Sequence, residues 1–149
     1  IDGKGNDTGN NITGNNGANR LFGFGGADTL NGGLGNDVIV GGAGSDSIVV
    51  TDGNDRIFYT DVLDGNDKVT GFDGNPAGGQ DQINLDLLFD SLGVAAKDRA
   101  ARVQIGPSGA DIEVRVDTDG NTGNGFEIVI ILISTADPIT LGADVILDS

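Results

Sequence analysis

The chain has 149 residues, 27 of them glycine, and a net charge of −15, in which 21 Asp and only 2 Glu stand against 8 basic residues. With no His and no Cys there is no histidine catalyst, no thiolate metal site and no disulfide, so the redox compartment stays open. The acid balance argues against nucleic acid and anionic membrane partners and favours divalent cations, because short carboxylates in turns suit cation coordination.

Ile1 stands at the start without a Met or a signal peptide, which reads as a piece of a longer protein. No apolar run approaches the length of a membrane span, so no membrane insertion is expected. The stretch GGLGNDVIVGGAGSDSIV (32–49) is one nonapeptide written twice, and stepping by nine gives unit starts at Gly5, Gly14, Gly23, Gly32, Gly41 and Val50. Position eight is always aliphatic (Ile12, Leu21, Leu30, Ile39, Ile48, Ile57), and position six runs Asn10, Asn19, Asp28, Asp37, Asp46, Asp55. Six residues of Gly, Asn and Asp make a turn, because Gly tolerates positive φ and Asn and Asp tolerate the left-handed region. The other three make a short strand whose middle side chain points away from its neighbours. Winding such units stacks the strands in two facing parallel sheets with the aliphatic column between them. That core is thin: one aliphatic pair per coil does not offset the ordering of two whole units, and position-six carboxylates stacked every second unit repel. A further binding partner is required.

GGLGNDVIV (32–40) and GGAGSDSIV (41–49) resemble the calcium-binding nonapeptide GGxGxDxUx of RTX (repeats-in-toxin) proteins. The resemblance implies a parallel β-roll with several Ca²⁺ ions between loops two units apart on one edge, held by loop carbonyls and position-six carboxylates. It pairs Asp28 with Asp46 and Asp37 with Asp55. DGNDRIF (52–58) and DGNDKVT (64–70) repeat the loop with Asp52 and Asp64 in position three, separated by an insertion, Tyr59 to Asp61. Asp67 then pairs with Asp46 and Asp81 with Asp55, while Asn10 with Asp28 and Asn19 with Asp37 make weaker, less charged sites. The loop positions that would lend carbonyls include Gly23, Gly25, Gly32, Gly33, Gly35, Gly41, Gly42, Gly44, Gly53 and Gly65. Asp7 is three residues out of frame, which suggests an irregular first unit.

After residue 84 the character changes. LDLLFDSLG (85–93) and VAAKDRAARV (94–103) have helical composition, with Gly93 a stop for the first. DIEVRVD (111–117) alternates, with Ile112, Val114 and Val116 on one face, and FEIVIILI (126–133) reads as a strand covered on both sides. Together they form a hairpin over 111–133. Its turn contains DTDGN, similar to the start of a calcium loop, with Asp117, Asp119 and Asn121 as candidate ligands; lacking the bidentate acid, it also reads as a plain turn.

VTGFDGNPAGGQDQINLDLL (69–88), the D-x-D-G hairpin and the closing LGADVILDS (141–149) resemble the C-terminal target region of type I-secreted proteins. The expectation is therefore a mostly all-β chain: a parallel β-roll solenoid over 1–84, and a capping and secretion-signal region over 85–149 with a short helix and antiparallel strands. The partner implied is the type I secretion ABC transporter, the destination extracellular or cell-surface, the state monomeric, and the parent an RTX adhesin. Two alternatives remain: the tail of a secreted RTX protease, lipase or epimerase, or a sugar- or surface-binding module. No catalytic residue is expected in the chain, which has neither His nor Cys nor a G-x-S-x-G motif.

Overall fold

The computed structural model describes residues 1–74, 80–108, 111–121, 128–133 and 145–147. Nine short strands wind alternately into two sheets: β1 (Asp2–Asn6), β2 (Asn11–Thr13), β3 (Arg20–Gly25), β4 (Thr29–Asn31), β5 (Val38–Ala43), β6 (Ser47–Val49), β7 (Arg56–Phe58), β8 (Asp67–Thr70) and β9 (Gln82–Asn84). Odd-numbered strands pair in parallel in one sheet and even-numbered strands in the other, as a coil of two nonapeptides requires. The register sets Leu21, Ile39, Ile57 and Ile83 side by side in the first sheet. It sets Ile12, Leu30, Ile48 and Val69 side by side in the second. All of these except Ile12 have no exposed surface, so position eight is the core column.

The first coil keeps the frame, against the expectation of an irregular start. Strand β1 pairs with β3 in the same eighteen-residue step, Asp2 opposite Arg20 and Gly3 opposite Leu21. Asp7 lies exposed in the turn after it. Gly3 takes the core position because the coil narrows there: a Cβ would stand 2.5 Å from Ile12 Cγ2.

Helix α1 (Asp86–Ser91) follows β9 and ends where the sequence places its stop. The Gly93 N–H donates to Asp90 O and the Val94 N–H to Phe89 O, with Gly93 at φ 66°, a Schellman closure. Helix α2 (Ala96–Arg99) runs into a 3-10 turn, Ala100–Arg102. The helical reading of 94–103 ends there, since Val103 opens strand β10 (Val103–Ser108), whose Gly and Pro hid any alternation.

Strands β10, β11 (Asp111–Val116) and β12 (Ile128–Ile133) are antiparallel neighbours, which bears out the hairpin. Strand β12 then lies parallel to β8, and β13 (Val145–Ile146) parallel to β9, so the tail lengthens both sheets of the roll. Val114, Val116, Ile128, Ile130, Leu132 and Val145 have no exposed surface and share one hydrophobic cluster with the roll's aliphatic column. Buried Arg99 ties this end together, bonding Asp86 Oδ1 at 3.2 Å, Leu147 O at 3.0 Å and Val94 O at 3.1 Å, and pairing with Asp90. Among the described residues no helix is long and apolar enough to cross a membrane.

Candidate metal-binding edges

Each position-six residue ends a turn, and the eighteen-residue step stacks these residues into two columns, one per edge. Asn10, Asp28, Asp46 and Asp67 form one column, and Asn19, Asp37, Asp55 and Asp81 the other. Each carboxylate is aimed by a backbone donor one coil upstream. The N–H of Asp28 donates to Asp46 Oδ1 at 2.8 Å, that of Asp37 to Asp55 Oδ1 at 2.8 Å, and those of Asn10 and Asn19 to Asp28 and Asp37 at 2.7 and 2.8 Å. The ladder carries over both interruptions of the repeat: Asp46 N–H donates to Asp67 Oδ1 across 21 residues and Asp55 N–H to Asp81 Oδ1 across 26.

The second oxygen distinguishes the inner members. Among the described residues, Oδ2 of Asp28, Asp37, Asp46 and Asp55 is buried and has no hydrogen-bond partner, in residues no more than 3% exposed. A buried, unpaired carboxylate oxygen is costly, and four in two stacks add mutual repulsion. Burial pushes the Asp46 carboxyl above its ordinary value, and pushes Asp55 and Asp67 to about 7 and Asp81 to about 6.

These oxygens approach the chain where position one is glycine. A Cβ on Gly23, Gly32 or Gly41 would stand 2.2, 2.3 or 2.2 Å from Oδ2 of Asp28, Asp37 or Asp46, and the one on Gly23 would also meet Gly41 O at 2.4 Å. Carboxylate and carbonyl oxygens thus share a cradle that any side chain would fill. Hard oxygens carrying net charge are the donor set Ca²⁺ takes, so the residues fit that ion. Among the described residues no three acidic side chains gather into one cluster, so the Gly-rich loops have to supply carbonyls as well. In those loops Gly33, Gly35, Gly44 and Gly53 have φ of 89°, 99°, 138° and 146°, while Gly25 closes β3. Gly42, at φ 90°, leaves no room for a side chain, since a Cβ there would stand 2.1 Å from Phe24 O.

The remaining sequence candidates are placed differently. Asn10 Oδ1 accepts the Asn6 N–H at 2.7 Å. Asn19 donates from Nδ2 to Asp37 Oδ1 at 2.9 Å and accepts the N-terminal amine of Ile1 at 3.1 Å. Asp52 is exposed. Asp64 is buried but turned into the insertion, where Oδ2 accepts the Thr60 N–H and Oγ1–H and the Asp61 N–H at 2.7 to 3.0 Å. Gly65 packs on Ile128. In the DTDGN turn, Asp117 Oδ1 accepts the Gly120 N–H at 2.6 Å and Asp119 Oδ1 the Asn121 N–H at 2.7 Å. The Arg102 guanidinium donates to Thr118 O at 3.2 Å, so a cation already sits against that turn.

Two donors escaped the sequence reading. Tyr59 donates its hydroxyl to Asp67 Oδ2 at 2.8 Å, and the Asp73 N–H reaches Asp81 Oδ2 at 2.9 Å. The one available signal was that the only tyrosine in the chain opens the insertion that breaks the repeat.

Residues 4–39 and 32–59 match the family model described as RTX calcium-binding nonapeptide repeat (4 copies). The solution structure of the AlgE6R3 subunit from the Azotobacter vinelandii mannuronan C5-epimerase is similar at a TM-score of 0.63 and 24% identity, over 96% of this chain and 80% of that one, and shares the fold. No curated protein matches the chain.

Proposed function

We propose, from the premise that residues 4–59 are RTX calcium-binding nonapeptide repeats, that this chain is a calcium-folded, non-catalytic module carrying the export signal of a larger secreted protein. The observation that carries the calcium reading is the set of buried, unpartnered Oδ2 atoms on Asp28, Asp37, Asp46 and Asp55. Bound Ca²⁺ supplies positive charge and a coordination partner to these oxygens. Without it the two carboxylate columns repel and the thin aliphatic column cannot hold the coils, which leaves a chain loose enough to thread through a transporter. Where calcium is plentiful the same columns favour the wound state. Folding outside the cell then hinders back-sliding.

In this reading 1–84 is the folding unit and 85–149 the part read by a type I secretion ABC transporter, at the end of an extracellular adhesin. The arrangement that supports it is a repeat run followed by two short helices, a D-x-D-G hairpin and a closing LGADVILDS. A second reading, the tail of a secreted RTX enzyme, has its own support, since the structural neighbour is described as a subunit of an epimerase. The sequence preceding Ile1 separates them: a catalytic domain supports the enzyme, and a run of β-sandwich repeats the adhesin.

The test of calcium folding is a titration of the metal-free chain followed by far-UV circular dichroism. Strand signal is expected to rise cooperatively with Ca²⁺. A spectrum already β-rich in excess EDTA and unchanged by Ca²⁺ refutes the proposal. For export, a passenger fused to 85–149 is expected to reach the medium through a type I transporter, and retention in the cell refutes the signal assignment.

A further inference from the structure

Both carboxylate columns change character at the same end. Asp28 and Asp46 on one edge, and Asp37 and Asp55 on the other, each keep a buried Oδ2 without a donor. The next residue in each column does not. Asp67 Oδ2 receives the Tyr59 hydroxyl at 2.8 Å, and Asp81 Oδ2 receives the Asp73 N–H at 2.9 Å. With Oδ1 of each already taken by the ladder, both carboxylates are hydrogen-bonded on both oxygens.

Tyr59 follows β7 as the first residue of the insertion and is 1% exposed. The insertion is pinned behind it by the three donors on Asp64 Oδ2, from Thr60 and Asp61. A cation taking Asp67 Oδ2 would compete with the phenol hydroxyl for that oxygen, and a displaced hydroxyl would stay buried without an acceptor. Inner carboxylates carry no such penalty, since there an ion meets oxygens that nothing else satisfies. At the opposite end each column begins with an amide, Asn10 or Asn19, which brings no charge.

We infer that the protein closes its own cation ladder: Asp67 and Asp81 are terminal hydrogen-bonded carboxylates, Tyr59 is the group that excludes an ion from Asp67, and calcium is confined to the four inner carboxylates. This rests on the calcium reading above and departs from what the repeat alone implies, which makes Asp67 and Asp81 ligands like the rest.

The test is a count of Ca²⁺ bound by the metal-free full chain, by native mass spectrometry and calorimetry. Four ions are expected, one for each unpartnered Oδ2. Asp67→Asn and Asp81→Asn should leave that number unchanged, Asp46→Asn should lower it, and Tyr59→Phe, which keeps the ring and removes the hydroxyl, should raise it by one. Six ions on the parent chain, or an ion lost with Asp67→Asn, overturns the inference while the calcium reading stands. An unchanged count in folded Tyr59→Phe also overturns it. If Tyr59→Phe does not fold, the Asp67→Asn count decides alone. No bound ion at all overturns the calcium reading itself.

Discussion

Asp46→Asn should change the sign of its effect on stability with calcium. The amide keeps an oxygen where Asp46 Oδ1 accepts the Asp28 N–H at 2.8 Å, and leaves the Asp46 N–H free to donate to Asp67. The ladder therefore survives, and what is lost is one buried charge and one strong ligand oxygen. In calcium a hundredfold above its dissociation constant, loss of one site removes about 2.7 kcal/mol of linkage stabilisation. Without calcium the charge is a liability: burial raises the Asp46 carboxyl's pKa, Asp28 and Asp64 add like charge, and Oδ2 has no partner. The variant should then be as stable as the parent chain or more so. Urea unfolding followed by circular dichroism tests both arms, one in saturating calcium and one in EDTA with sucrose, which favours compact states through its exclusion from the protein surface. Equal destabilisation in both arms would refute the reasoning, because Asp46 would then be a structural hydrogen-bond acceptor and nothing more.

Asp55, pushed up to about 7 by burial and by the charges of Asp81 and Asp37, gives a pH dependence. Its folded value lies above the unfolded one, so without calcium its burial penalty is absent below about pH 4 and complete above about pH 7; in EDTA with the same sucrose that favours the compact state, melting temperature should fall across that window. Arg99→Met leaves Asp86 buried without its cation and should cost about 3–5 kcal/mol in chemical denaturation, whereas Lys97→Met, whose pair with Asp98 is exposed, should cost almost nothing. Removing 85–149 uncovers Val69 and Ile83 at the end of the roll and should raise the calcium needed for half-folding; a truncation that folds at the parent concentration would make the tail a signal without a capping role.

The roll was legible because its period is written in two independent alphabets. The aliphatic column from Ile12 to Ile57 fixes the strands, and the Asn/Asp column from Asn10 to Asp55 fixes the turns, so either alone sets the eighteen-residue register seen between β3 and β5. The carboxylate neighbours followed from the same register, even across the insertion to Asp67. Strand β10 did not follow, because VQIGPS takes its strand state from pairing with β11 and not from its own pattern. Tyr59 did not follow either. Its partner Asp67 is eight residues on, at a distance no repeat predicts, and only folding of the insertion around Asp64 turns the hydroxyl onto it.

That contact gives the ladder a direction. Each position-six carboxylate is aimed by the backbone of the coil before it, Asp28 N–H onto Asp46 and Asp46 N–H onto Asp67, so order at one rung helps to set the next. Inner rungs need an ion to settle their free oxygens. The last two need none, and they lie beside the largest part of the hydrophobic cluster, where β12 joins β8 and β13 joins β9. On the calcium reading, the end of the roll next to the tail should therefore be the one that needs the least calcium, and the end at Asn10 and Asn19, where ligand charge runs out, the one that needs the most.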